Sequence, residues 1–100
     1  MKKPKISLQS IVAAGKDQVS ADLAGEAVIL HLKTGVYYSL DPVGKQIWDL
    51  IQKPKRVKDI RQSVLELYEV DSERCESDLL ALLRQLADEN LIKECDEPAA

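Results

Sequence analysis

The 100-residue sequence predicts an α+β domain in which an N-terminal three-stranded antiparallel sheet is followed by a three-helix bundle. Three observations carry that expectation. Residues 17–40 are rich in β-branched side chains and alternate; the apolar residues after Asp41 recur with helical period; and turn or breaker residues separate the runs, at Ala24-Gly25, at Lys33-Thr34-Gly35 and at Pro54. An apolar content of 45% against 31% charged residues suits one soluble domain with a modest core. No run of about 18 apolar residues is present, and the opening MKKPKISLQS has charges without an apolar signal core, so a cytoplasmic protein with no membrane span is expected. The expected organisation is an ordered but irregular N-terminal arm over 1–16, a domain over 17–93 and a C-terminal tail over 94–100.

The first strand is QVSADL, with Val19, Ala21 and Leu23 on one side and Ser20 and Asp22 on the other, the pattern of a half-exposed strand. AVILHL follows the Ala24-Gly25 turn as the second. A three-residue loop at Lys33-Thr34-Gly35, with Gly35 left-handed, pairs Leu32 with Val36, Leu30 with Tyr38 and Val28 with Leu40. That register gathers Val28, Leu30, Leu32, Val36, Tyr38 and Leu40 on one face and leaves Ile29, His31, Tyr37 and Ser39 on the other. The third strand then lies at a sheet edge.

Asp41-Pro42 starts the first helix. The carboxylate can accept the first free amides, and proline at the first helical position loses no hydrogen bond. The helix runs to about Gln52 with Ile47, Trp48, Leu50 and Ile51 buried, and Pro54 stops it. The second helix, over 57–69, turns Ile60, Val64, Leu65 and Tyr68 inward. Asp71 or Ser72 caps a third helix that ends near Asn90, and LIKE is a candidate return strand. On that helix Cys75, Leu79, Leu82, Leu83 and Leu86 fall within about 100° of arc, and Leu80 and Ala87 widen the apolar face to about 160°. Packing on two sides accounts for such a width, and so does a groove lined by part of the stripe.

Three strands and three helices in this order are winged-helix-like, so DNA binding is the first function to weigh. The chain's net charge is −3, and residues 71–90 carry six carboxylates against two arginines, which phosphates would repel. The basic run Lys53, Lys55, Arg56, Lys58 and Arg61 sits around an inter-helix turn and reads as a solvated loop. Nucleic acid is not an expected partner. Enzyme chemistry finds no footing either: His31 is the single histidine, no Ser-His-Asp, Cys-His or paired-carboxylate arrangement presents itself, and no glycine-rich phosphate loop occurs. Cys75 and Cys95 stand twenty apart without metal-ligand spacing and read as inert thiols. No catalytic residue, metal or cofactor is expected, which leaves binding.

The segments GEAVILHLKTGVYYSLDPVGKQIW, VKDI and YEVDSERCESDLLALLRQLADENLI resemble the PqqD-like domain family, recognition elements for the leaders of ribosomally made, modified peptides. The resemblance covers about 17–93. It rests on Gly35 with Tyr37 and Tyr38, on Gly44 with Ile47-Trp48, and on Leu86 followed by Leu91-Ile92. The ERCESD segment and the chain length are most similar to the free-standing leader-binding partner in lasso-peptide biosynthesis. The resemblance implies that a precursor leader adds as a strand beside the third strand, at Val36, Tyr37, Tyr38, Ser39 and Leu40. It also implies that the leader lies toward the third helix, where Asp78, Leu79, Leu82, Leu83 and Leu86 are the candidate contacts. The physics of an open edge agrees: main-chain pairing supplies affinity and neighbouring apolar pockets select side chains. Tyr38 would anchor the core side and Tyr37 offer a platform to the peptide, with cross-strand packing as the alternative for both. Glu76, Asp78 and Asp88 either meet leader lysines or are solvated. The implied role is a non-catalytic adaptor delivering a precursor to a maturation protease that hands on to a cyclase. A winged-helix DNA-binding regulator and a structural enzyme subunit are the alternatives.

Overall fold

The computed structural model describes residues 6–95. The first and last five residues, part of the expected arm and most of the expected tail, lie outside the described residues. Nine elements follow one another: β1 (Ile11–Ala14), β2 (Gln18–Leu23), β3 (Glu26–His31), β4 (Tyr37–Leu40), α1 (Pro42–Leu50), β5 (Lys55–Arg56), α2 (Val57–Leu67), α3 (Ser72–Asp88) and β6 (Ile92–Cys95). They make two three-stranded antiparallel sheets, ordered β2-β3-β4 and β5-β1-β6, with α1 between β4 and β5 in sequence and α2 and α3 between β5 and β6. The α+β class, the three-stranded meander and the three helices are as the sequence predicts.

The second sheet corrects the expectation of an irregular arm. Ile11, Val12 and Ala13 are buried in β1, which pairs with β6 on one side and with the two-residue β5 on the other. The LIKE segment does return as a strand. The arm also finishes α2. The capping residue of α2, Arg56, makes no side-chain cap bond, and the helix's first amides donate instead to the arm: Val57 N–H to Ser10 O at 2.9 Å and Lys58 N–H to Leu8 O at 3.1 Å. Those amides have no partner within the helix, so the arm satisfies polar groups that burial would otherwise penalise.

Helix ends follow the local chemistry. Asp41 accepts from Gly44 N–H at 2.8 Å and Asp71 from Arg74 N–H at 3.1 Å. At the end of α3, Asn90 takes φ +60° while Leu91 N–H bonds Leu86 O and Asn90 N–H bonds Ala87 O, the paired closure of a left-handed helix stop. The core joins Ile29 and Leu40 of the meander, Ile47, Trp48 and Ile51, Val57, Ile60 and Val64, and Leu79, Leu83 and Leu86.

The β3–β4 register differs from the expected one by a single residue. Ala27 pairs with Leu40, Val28 with Ser39, Ile29 with Tyr38 and Leu30 with Tyr37. The loop is therefore four residues, 32–35, closed by His31 N–H to Val36 O at 3.0 Å and Gly35 N–H to His31 O at 2.8 Å. Gly35 is left-handed as expected, φ +72°. Lys33 N–H donates to His31 Nδ1 at 3.2 Å, so the imidazole stabilises the turn from inside the fold. The slip exchanges the faces of β3. Ala27, Ile29 and His31 are buried, and Val28 and Leu30 turn outward; His31 is a core residue and not a neighbour of Tyr37.

Candidate functional site

Among the described residues strand β4 pairs with β3 alone, and its other side is an open edge. The bonded pair His31–Val36 fixes which backbone groups are spent. Because hydrogen-bonded and non-bonded pairs alternate in an antiparallel ladder, Tyr38 and Leu40 face β3, and the N–H and C=O groups of Tyr37 and Ser39 face the open side.

That edge borders a cleft of about 510 Å³, within the range of small-ligand and peptide side-chain pockets. One wall descends from Ser39 and Leu40 into α1, through Val43, Gly44 and Ile47. Val64 of α2 and Val70 add to the lining, and α3 supplies Arg74, Cys75, Asp78, Leu79 and Leu82. The lining is mostly aliphatic, with charge at the rim, where Arg74 Nε and Asp78 form an exposed pair at 3.7 Å. Gly44 lets the first turn of α1 pack close to the end of β4: a Cβ there would stand 3.1 Å from Leu40 Cβ and 3.3 Å from the capping Asp41 oxygen.

Tyr38 turns to the core side of the sheet, and its hydroxyl donates to Glu89 Oε2 at 2.6 Å, beyond the end of α3. The bond ties the edge strand to the helix that forms the opposite wall. It also raises the phenol above its ordinary pKa, with desolvation and the Glu89 charge adding to the effect. The Cys75 thiol is pushed up chiefly by burial, against the nearby Arg61 cation.

The wide apolar face of α3 divides into three duties. Cys75, Leu79, Leu83 and Leu86 are buried, and the latter two are core side chains that do not line the cleft. Arg74, Asp78 and Leu82, spaced four apart along one flank, face the cleft. On the other flank Arg84 grips the arm, donating through Nε and Nη2 to Ile6 O at 3.1 and 2.8 Å. Glu76 pairs with Arg61 at 3.5 Å. Of the candidate residues, Ser39, Leu40, Asp78, Leu79 and Leu82 come together around the cleft; Val36 and Tyr37 are exposed outside it, Tyr37 on the outer face of the sheet.

The sequence reading gives Asp41, Gly44, Ile47, Val64 and Cys75 other roles, as cap, motif or packing residues, and does not single out Val43, Val70 or Arg74, so none of these eight lining residues is among its candidate contacts. A signal for two of them exists: Val70 precedes the Asp71 cap and Cys75 stands at the fourth helical position, the spacing of a hydrophobic staple.

An open edge beside an apolar cleft defines a small α+β domain of the kind that can take up an extended chain. Residues 26–92 match the family model described as Coenzyme PQQ synthesis protein D (PqqD), and the chain belongs to that family. Among solved structures it is similar to TbiB1 in complex with the TbiA(beta) leader peptide, at 38% identity over 85% of this chain and 99% of that one, with a TM-score of 0.77. No curated protein matches the chain. No helix among the described residues is long and apolar enough to cross a membrane.

Proposed function

We propose that this chain is a non-catalytic adaptor that takes up the leader of a ribosomally made precursor peptide as an added strand on β4. It would deliver that precursor to a maturation enzyme, a leader protease acting ahead of a cyclase, in lasso-peptide or related biosynthesis. The observation that carries the reading is the open β4 edge lying directly over the apolar cleft. An added strand would bond to the Tyr37 and Ser39 backbone and place alternate side chains into the cleft. Similarity to TbiB1, whose structure holds a leader peptide, supports it.

Among the described residues the outer edge of β2 is open too. It borders Asp22, Lys45 and Asp49, which already pair with one another, Lys45 Nζ lying 3.5 Å from Asp22 and 2.8 Å from Asp49. That edge offers a peptide backbone bonds without apolar pockets, so β4 is the better acceptor. Delivery would act by concentration: binding precursor and enzyme together makes their encounter effectively intramolecular.

Ser39→Pro tests the reading. The substitution removes an amide that faces the open edge and spends no bond to β3, and the ring occupies space next to the incoming strand. Titration of a fluorescent leader peptide should show affinity reduced at least about tenfold, since one lost bond contributes about 1 kcal/mol and the ring adds its clash. Thermal unfolding checks that the variant is folded. Wild-type affinity in a folded variant would rule out strand addition at this edge.

A further inference from the structure

The two carboxylates that line the cleft already have partners: Asp41 caps α1, and Asp78 faces Arg74. Glu89, at the other end of the same helix wall, is different. Among the described residues it has no ion pair, and its Oε2 accepts from the neutral Tyr38 hydroxyl at 2.6 Å. Its position disfavours an anion on local grounds. Glu89 is the C-terminal cap of α3, no basic residue stands in the last turn, and the helix carbonyls place negative potential at that end. Such a terminus attracts a cation.

Glu89 also lies where an added strand would pass. Arg74, Asp78 and Leu82 step along the flank of α3 that faces the cleft, and Glu89 stands about two turns beyond Leu82 on that flank. Across the gap, Leu40 borders the cleft, and Tyr38, two residues earlier on the same inner face of β4, reaches Glu89. An added strand has the same period of two, whichever way it runs. Its side chain opposite Leu40 turns to the cleft, and the one opposite Tyr38 turns to the Tyr38–Glu89 pair. Opposed cross-strand Cβ atoms stand about 4.5–5.5 Å apart, so a side chain as long as the tyrosine's own ends beside the hydroxyl and the carboxylate. Lysine and arginine have that length, an apolar stem to lie along the Tyr38 ring, and a charge opposite to that of Glu89.

We propose that Glu89, oriented by the Tyr38 hydroxyl, is a subsite for a lysine or arginine of the leader, two residues along from the side chain that enters the cleft. The inference rests on the strand-addition reading above and deepens it, because it asks of a leader one apolar and one basic residue spaced two apart. Backbone pairing is blind to sequence, and an aliphatic cleft selects by bulk. The carboxylate adds selection by charge and fixes the register. A slip of one residue turns both side chains to the outer face, and a slip of two that brings the basic residue opposite Leu40 sets its charge against the apolar cleft.

The test is a double-mutant cycle read by titration of a fluorescent synthetic leader peptide into the full chain. Each lysine or arginine of the peptide is replaced in turn by glutamine, and each peptide is titrated against wild type and against Glu89→Gln. That variant keeps an acceptor for the Tyr38 hydroxyl and removes the charge. The expected result is one basic residue whose replacement weakens binding about three- to fivefold in wild type, as an exposed ion pair contributes, and less than about 1.5-fold in Glu89→Gln. That residue stands two positions from the one whose alanine substitution loses its effect in Leu82→Ala. The coupling should shrink as salt rises from about 50 to 500 mM. Additive effects at every basic residue, a leader with none at that spacing, or a coupling that salt leaves unchanged overturns the subsite. Loss of affinity in Ser39→Pro without coupling to Glu89 overturns the subsite alone, whereas wild-type affinity in a folded Ser39→Pro protein overturns strand addition and the subsite with it.

Discussion

Leu82→Asp is expected to weaken leader uptake at least about a hundredfold, equivalent to roughly 2.7 kcal/mol, in a protein that remains folded. Leu82 is half-buried and faces the cleft from the flank of α3. An aspartate there removes the apolar contact a leader side chain would make. It also obliges any occupant to desolvate a carboxylate, one helical turn from the existing Asp78. Leu82→Ala removes only the contact and should cost about tenfold or less. The neighbouring Leu83→Ala provides the contrast. Leu83 is fully buried in the core, so that truncation should cost about 2–5 kcal/mol of stability with little selective effect on peptide affinity among molecules that stay folded. Titration and thermal unfolding of the three variants separate cleft from core. Equal binding by wild type and a folded Leu82→Asp protein would place the peptide elsewhere.

Trp48→Ala carries the largest expected loss of stability. The indole is 2% exposed and packs between the meander and the helices, and its N–H reaches Ser20 Oγ at 3.3 Å. Removing a buried tryptophan costs about 3–5 kcal/mol, against a total of about 5–15 kcal/mol for a domain of this size. The melting temperature should fall by roughly 15–30 °C. Trp48→Phe keeps most of the apolar volume and gives up only a long hydrogen bond, so it should lose about 1–2 kcal/mol. Near-equal melting temperatures for wild type and Trp48→Ala would mean that the indole is not the keystone between sheet and helices.

How legible these features were in the sequence depends on how far each relies on local chemistry. Asp41-Pro42, Pro54, Asp71 and Asn90 marked helix ends because capping is decided within a few residues, and the structure has all of these boundaries within a turn. Strand β1 was illegible because IVAA is too short to show a period, and its partners lie more than forty and more than seventy residues away, one of them only two residues long. The β3–β4 register was misread because AVIL is apolar at every position, so alternation cannot say which set turns inward. The four-residue loop decided it, through the His31 side chain and Gly35.

The cleft was half legible. The edge strand follows from strand order, whereas Asp78 and Leu82 are candidate contacts only through the family resemblance, alongside Leu79, Leu83 and Leu86, and helical spacing does not tell which of these leucines face the cleft. Assigning Leu83 and Leu86 to the core requires knowing where the second sheet and the arm sit against α3, which no local pattern encodes. The contributions of Val43, Val64 and Val70 come from three separate segments that only the tertiary fold assembles.

The most direct test of leader uptake on β4 is amide hydrogen exchange read by nuclear magnetic resonance on the full chain, with and without a synthetic leader peptide. The Tyr37 and Ser39 amides face the open edge and should exchange freely in the unbound protein, then become protected when an added strand accepts their hydrogens. Amides of β2, at the other edge, should change little, and methyl signals of Val43, Val70 and Leu82 should shift as the cleft fills. Saturating peptide that leaves Tyr37 and Ser39 exchanging as before, or that protects the β2 edge instead, would contradict strand addition at β4.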